Sequence, residues 1–210
     1  MSDNQTQSQQ VYAALKDAIC NCRYLPGQEI SEKQLFEDLP FGRTPIRETL
    51  LQLQREELVE IFPRKGMRVA AFSDELISNI YQTRKLIEPA VAASYCPMYS
   101  KGKLLEYREK LPAAADKGAA EFYTLDIEFH TYLVSAANNR RLSAIFSDLM
   151  LHQYRLAMYA AMQGKTSCSQ NNDDHERILL ALLSEDREAI RASITSHINA
   201  SMITLMQALH

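Results

Sequence analysis

A chain of 210 residues that is 46% hydrophobic and 23% charged has the size and composition of one large or two small globular domains with a buried core. No apolar run approaches the roughly 18 residues that span a bilayer. The polar segment from Met1 to Gln10 lacks the basic start and apolar stretch of a secretory leader, so a cytoplasmic protein without a membrane partner is expected. The formal net charge of −3 argues against a globally basic polyanion binder, although local clusters decide that question more than the total does.

Residues 1–10 read as a disordered tail. Val11, Leu15 and Ile19 recur every fourth residue and predict a helix from about Val11 to Cys22, ended by the Leu25-Pro26-Gly27 turn. Ser31 with Gln34 has capping-box spacing and opens a short second helix with Leu35, Phe36 and Leu39 on its apolar face. Pro40-Phe41-Gly42 breaks the chain. A third helix follows from about Thr44 to Glu56, with Pro45 in its first turn, where a missing N–H costs nothing. Ile46, Leu50 and Leu53 form its inward stripe. Leu58 to Phe62 and Met67 to Ala71 predict two strands joined at Pro63-Arg64-Lys65-Gly66.

After Ser73-Asp74 strand signals stop. Helices are predicted at about 75–96, 103–115, 120–138, 141–163, 170–184 and 186–208, a set best satisfied by an antiparallel bundle. The fold class is mainly α. A winged helix-turn-helix of three helices plus a β-hairpin occupies residues 11–72, and an all-helical domain occupies 73–210. Cys20, Cys22, Cys96 and Cys168 show neither C-x-x-C nor zinc-finger spacing and read as thiols of a reducing compartment.

Three helices and a hairpin suit DNA. A helix fits the major groove, and the side chains of its first turns reach base edges and phosphates. Arg43, Thr44 and Arg47 cluster at the start of the third helix, while Arg64, Lys65 and Arg68 sit at or beside the hairpin tip. Gly66 permits a tight turn and a close approach. These seven residues are the candidate DNA contacts. A basic cluster by itself is more often a solvated surface.

Leu25-Pro26-Gly27-Gln28-Glu29-Ile30-Ser31-Glu32 and Arg43-Thr44-Pro45-Ile46-Arg47-Glu48-Thr49-Leu50, followed by Leu58-Val59 and Pro63-Arg64-Lys65-Gly66, closely resemble the GntR family of bacterial regulators over about residues 11–71. Two departures stand out. The family usually has Gly-Val-Ser where this chain has Pro40-Phe41-Gly42, so the usual N-cap serine is missing. Cys22 stands where glycine is common.

In the second domain Asp126 and His130 are spaced i, i+4 and share one helix face. His175 and His197 fall on two later helices. Imidazoles with a carboxylate suit a first-row divalent metal, but spacing does not show that these four converge. The D-x-E-F-H stretch with Asn138 and Leu142, and Asp174-His175-Glu176-Arg177-Ile178 with His197, are similar to the ligand-binding (FCD) domain of the FadR-type branch of that family. The helix count is similar to its smaller, VanR-like subgroup. The resemblance implies a divalent metal held by Asp126, His130, His175 and His197, with zinc, nickel, manganese or iron as the ion.

The resemblance also implies a small organic-acid effector held by Arg84, with Tyr154 and Arg155 as further pocket residues, and a homodimeric repressor on double-stranded operator DNA. The alternative for Arg84 is a surface residue bridged to Glu88 at i+4. Tyr154, Met158, Tyr159 and Met162 lie at helical spacing and read as core or pocket wall. His152 and His210 match no ligand pattern. Two rival functions remain: a regulator for which the metal itself is the signal, and a metal-dependent hydrolase fused to a DNA-binding module.

Overall fold

The computed structural model describes residues 6–166 and 172–209, in two compact units, Met1–Phe72 and Ser73–His210. Cys168 and His210 lie outside the described residues.

The first unit contains α1 (Gln7–Cys20), β1 (Glu29–Ser31), α2 (Glu32–Asp38), α3 (Arg43–Arg55), β2 (Val59–Phe62) and β3 (Gly66–Val69). α1 opens at Gln7, not at Val11, which corrects the predicted tail. The Thr6 hydroxyl accepts the Gln9 N–H at 3.3 Å, and the Gln9 side chain accepts the Thr6 N–H at 2.8 Å. This reciprocal cap satisfies two donors that have no partner within the helix, and it leaves no apolar periodicity to be read in residues 7–10. Beyond it α1 packs on α3, burying Val11, Leu15 and Ile19 together with Ile46, Leu50 and Leu53. Lys16, Tyr12 and Glu56 tie the two helices at the rim through bonds of 2.6–2.9 Å.

The expected hairpin is the larger part of a three-stranded antiparallel sheet in the order β1-β3-β2. β1 was not legible in the sequence. It has three residues, one of them buried, too short for an alternation to show, and its last residue, Ser31, also caps α2 by accepting the Gln34 N–H at 3.2 Å. Ser31 pairs with Gly66 across the sheet. Gly66 has φ +128°, and a Cβ there would stand 2.0 Å from the Ile30 carbonyl oxygen. The close approach expected of Gly66 is therefore made to β1, and the residue is buried. At the entry to α3, Gly42 is the N-cap and offers no side-chain bond. The helix starts at Arg43 without the serine cap that the motif usually supplies.

The second unit contains α4 (Asp74–Ser94), a 3₁₀ turn (Cys96–Met98), α5 (Lys101–Ala115), α6 (Ala119–Ser135), α7 (Arg140–Met162), α8 (Asn172–Ser184) and α9 (Arg187–Leu209). Ser73, Ser100 and Asn139 cap α4, α5 and α7 through side-chain oxygens. α4 packs on α9 and α6, α6 on α5 and α7, and α8 on α5 and α9. Ile77, Phe122, Phe129, Phe146, Ile178 and Ile194 are fully buried. Met162, expected in the core or a pocket wall, is instead half exposed, because it is the last residue of α7.

Candidate metal centre and nucleic-acid interface

The packing of the second unit brings four polar side chains from three helices together in its interior. Asp126 and His130 lie one turn apart on α6, His175 is on α8 and His197 on α9, and all four are buried. One ligand atom from each lies within 4.8 Å of all the others, the one such group among the described residues. Asp126 Oδ1 is 2.9 Å from His175 Nε2 and 3.7 Å from His130 Nε2. The His130 and His197 rings stack with centroids 5.1 Å apart, and the His175 and His197 centroids are 4.6 Å apart. Phe129 packs against His130 and edge-on against His175, so the polar group has apolar walls.

Each imidazole keeps at least one nitrogen that the protein does not use. His130 Nε2, both ring nitrogens of His175 and His197 Nδ1 are buried without a hydrogen-bond partner. The 2.9 Å contact of His175 with Asp126 has the length of a hydrogen bond but not its direction. Each buried polar atom left unpaired costs about 1–3 kcal/mol, so these unpaired nitrogens on three rings point to something that uses one lone pair from each ring. Bonds of about 2.0–2.2 Å from a tetrahedral zinc-sized ion to nitrogen or carboxylate oxygen set the donors about 3.3–3.6 Å apart, so the donors, now within 4.8 Å of one another, need close by no more than about 1.5 Å. Three imidazoles with one carboxylate are suitable chemistry for zinc and its neighbours.

Around this group lies a second layer. Glu88 on α4 is completely buried and accepts from Arg84 Nε at 2.5 Å, while its other oxygen is 2.6 Å from His130 Nδ1. The Arg84–Glu88 bridge therefore forms in the core rather than on the surface. Tyr81, one turn before Arg84, has its ring beneath the guanidinium at 5.7 Å. Its hydroxyl bonds Ser201 at 2.8 Å and receives the Gln153 amide at 3.0 Å. Gln153 is buried, and its remaining amide atom has no partner. Next to it on α7, Arg155 is buried and Tyr154 half-buried. Glu88 and Gln153 were not singled out from the sequence as site residues. For Glu88 a signal existed: Ile77, Tyr81, Arg84 and Glu88 recur at helical spacing, and all are buried, so an ion pair occupies core positions of the stripe.

The electrostatics follow from burial and proximity. Burial pushes the Asp126 carboxyl up, but His175, His130 and His197 more than reverse this and hold it well below the usual carboxylate range. Burial likewise opposes ionisation of Glu88, yet Arg84 and His130 bring it down to about 2. His197 is pushed down to about 4 by burial, against the pull of Asp174, whose carboxylate is 3.8 Å away. In protein stripped of metal by a chelator, the unfolded chain then takes up a proton on His197 before the folded one does. Stability is expected to be full above about 6.5 and to fall as the pH drops from there towards about 4. Melting temperatures across that window test this, and a flat profile in the metal-free protein would contradict it.

In the first unit Arg43, Thr44 and Arg47 are exposed on the opening turns of α3. The Arg43 guanidinium lies 5.4 Å from the Phe36 ring, and Arg47 reaches Glu32 at 3.2 Å. Arg64 and Lys65 are exposed at the hairpin tip, where Arg64 has φ +64° and Lys65 N–H donates to the Phe62 carbonyl at 3.0 Å. Arg68 lies back along β3, paired with Glu60 at 2.5 Å and over the Phe62 ring.

Comparison with known proteins bears on both units. A family model described as "Bacterial regulatory proteins, gntR family" matches residues 7–69, and one described as "FCD domain" matches residues 79–200. The HTH-type transcriptional repressor RspR of Escherichia coli K12 is 26% identical over 202 residues, covering 94% of this chain and 88% of that protein. The Uxu operon transcriptional regulator of the same strain is 25% identical over 215 residues, covering 90% of this chain and 83% of that protein. Among solved structures, E. coli McbR/YncC superposes with a TM-score of 0.80 at 21% identity, over 98% of this chain and all of that one. The Zn2+-bound FCD domain of TM0439 superposes with a TM-score of 0.54 at 16% identity, over 67% of this chain and 99% of that one.

Proposed function

The chain belongs to the gntR family of bacterial regulatory proteins and carries its FCD domain, and on that premise we propose that it is a transcription regulator whose affinity for operator DNA is set by a small organic acid bound at a metal ion. The observation that carries this reading is the buried set of Asp126, His130, His175 and His197, in which every imidazole keeps a buried nitrogen without a hydrogen-bond partner. These four residues hold the ion, for which zinc is the first candidate. When bound, the ion supplies a Lewis-acid position for a carboxylate oxygen. Arg84 offers the other end of the acid those N–H groups that are not turned to Glu88. Tyr154 and Arg155 complete the proposed pocket.

The homodimer presents one α3 per subunit to each half-site of a pseudo-palindrome, with Arg43, Thr44 and Arg47 in the groove and Arg64, Lys65 and Arg68 along the neighbouring backbone. The relatives are named as regulators, one of them as a repressor, which supports a repressor that responds to its ligand rather than an enzyme that turns it over. Coupling is reciprocal: operator DNA changes acid affinity by the factor by which the acid changes operator affinity.

The test is operator binding on a duplex selected from random sequence, first with chelator, then with zinc, then with zinc and a panel of small carboxylates. At least one acid is expected to change the Kd by about 5–150-fold. A response to zinc alone, unaltered by every acid, makes the metal the signal. Indifference to both overturns the sensor reading.

A further inference from the structure

Resting on the metal reading above, the geometry points to Glu88 as the positioning residue of the centre: it holds a proton of the His130 ring on Nδ1, so that Nε2 is the nitrogen left to ligate the ion. A neutral imidazole has one N–H and one lone pair, and whichever nitrogen carries the proton cannot ligate a metal. The Glu88 carboxylate stands 2.6 Å from His130 Nδ1 and, bridged to Arg84, can only accept. Nδ1 is therefore the donor of that bond. His130 Nε2 has no partner at all and lies 3.7 Å from Asp126 Oδ1, outside hydrogen-bond range.

Glu88 is not itself a ligand. One of its oxygens is taken by Arg84 Nε and the other by His130. Arg84, His130 and Glu88 are each no more than 1% exposed, so water does not compete for these bonds. Without Glu88 the proton is free to move to Nε2 and turn towards Asp126, which closes the donor. A carboxylate on the far nitrogen of a metal-binding histidine commonly accounts for 10–100-fold in metal affinity.

The competing explanation is that Glu88 only neutralises a buried arginine. Two double variants separate the roles, because both remove the ion pair. Arg84→Met with Glu88→Gln keeps an acceptor for Nδ1–H, and Arg84→Met with Glu88→Met does not. Zinc affinity is read by competition with a chromogenic chelator, with circular dichroism confirming the fold. The glutamine pair is expected to bind zinc within a few-fold of wild type, and the methionine pair about 10–100-fold more weakly. Equal affinities in the two pairs overturn the proposal while leaving the metal reading intact. Failure of the wild type itself to bind zinc overturns both.

Long-range ¹⁵N–¹H spectra of the zinc-free wild type give a second readout that needs no variant to fold. A proton on His130 Nδ1 is expected, and a proton on Nε2 refutes the assignment.

Discussion

Replacing His130 and His175 together by alanine is expected to leave the protein without bound zinc, against one ion per chain in the wild type, and to make operator affinity indifferent to small acids. The two rings come from different helices, α6 and α8, and supply half of the donor set. Buried structural zinc sites bind with about 10–16 kcal/mol, so losing two of four ligands removes several kcal/mol and leaves a site that a mild chelator empties. The variant also loses the partner of Glu88, but Arg84 still bridges that carboxylate. The fold is therefore expected to survive with a lowered melting temperature. His152→Ala is the control. His152 is as buried as the four but stands outside their cluster, so its removal disturbs the core without touching the ion. Elemental analysis of the three proteins decides the matter: full zinc content in the double variant would eliminate the site.

How much of this was legible in the sequence differs between the two units. The helices of the second unit announce themselves because their apolar positions recur at helical spacing and their ends carry serine or asparagine caps, as at Ser73 and Asn139. Asp126 and His130 could be placed on one face by their spacing, but their meeting with His175 and His197 depends on how three helices pack, and resemblance supplied that expectation rather than spacing. Glu88 escaped notice as a site residue because a glutamate four residues after an arginine ordinarily reads as an exposed helix pair. Only the burial of both shows otherwise. β1 and the first turn of α1 escaped for a simpler reason. Their stability comes from sheet pairing with Gly66 and from the Thr6–Gln9 cap, neither of which leaves a hydrophobic period behind.

Replacing Arg43 and Arg47 together by alanine should weaken operator binding more than any other pair of surface changes in the first unit. Both side chains are exposed on the first two turns of α3, and what they now contact costs little to give up. The Arg47–Glu32 pair is largely solvent-exposed, and such pairs are worth about 0–1 kcal/mol. Arg43 rests on Phe36 by an exposed cation–π contact of about 0.5–1 kcal/mol. A bidentate contact to guanine is worth about 1–3 kcal/mol for each arginine, so the double variant is expected to lose roughly 30-fold or more. Salt dependence separates base reading from phosphate binding. An arginine on a base edge lowers affinity for the cognate sequence above all, whereas one on a phosphate weakens every sequence alike and lowers the salt slope by about one. Lys65→Ala at the hairpin tip, beyond the β2–β3 ladder, is expected to show the second pattern. Fluorescence anisotropy on cognate and scrambled duplexes at several salt concentrations reads all of these together. Unchanged affinity and slope in the α3 double variant would mean that another surface of the unit faces the DNA.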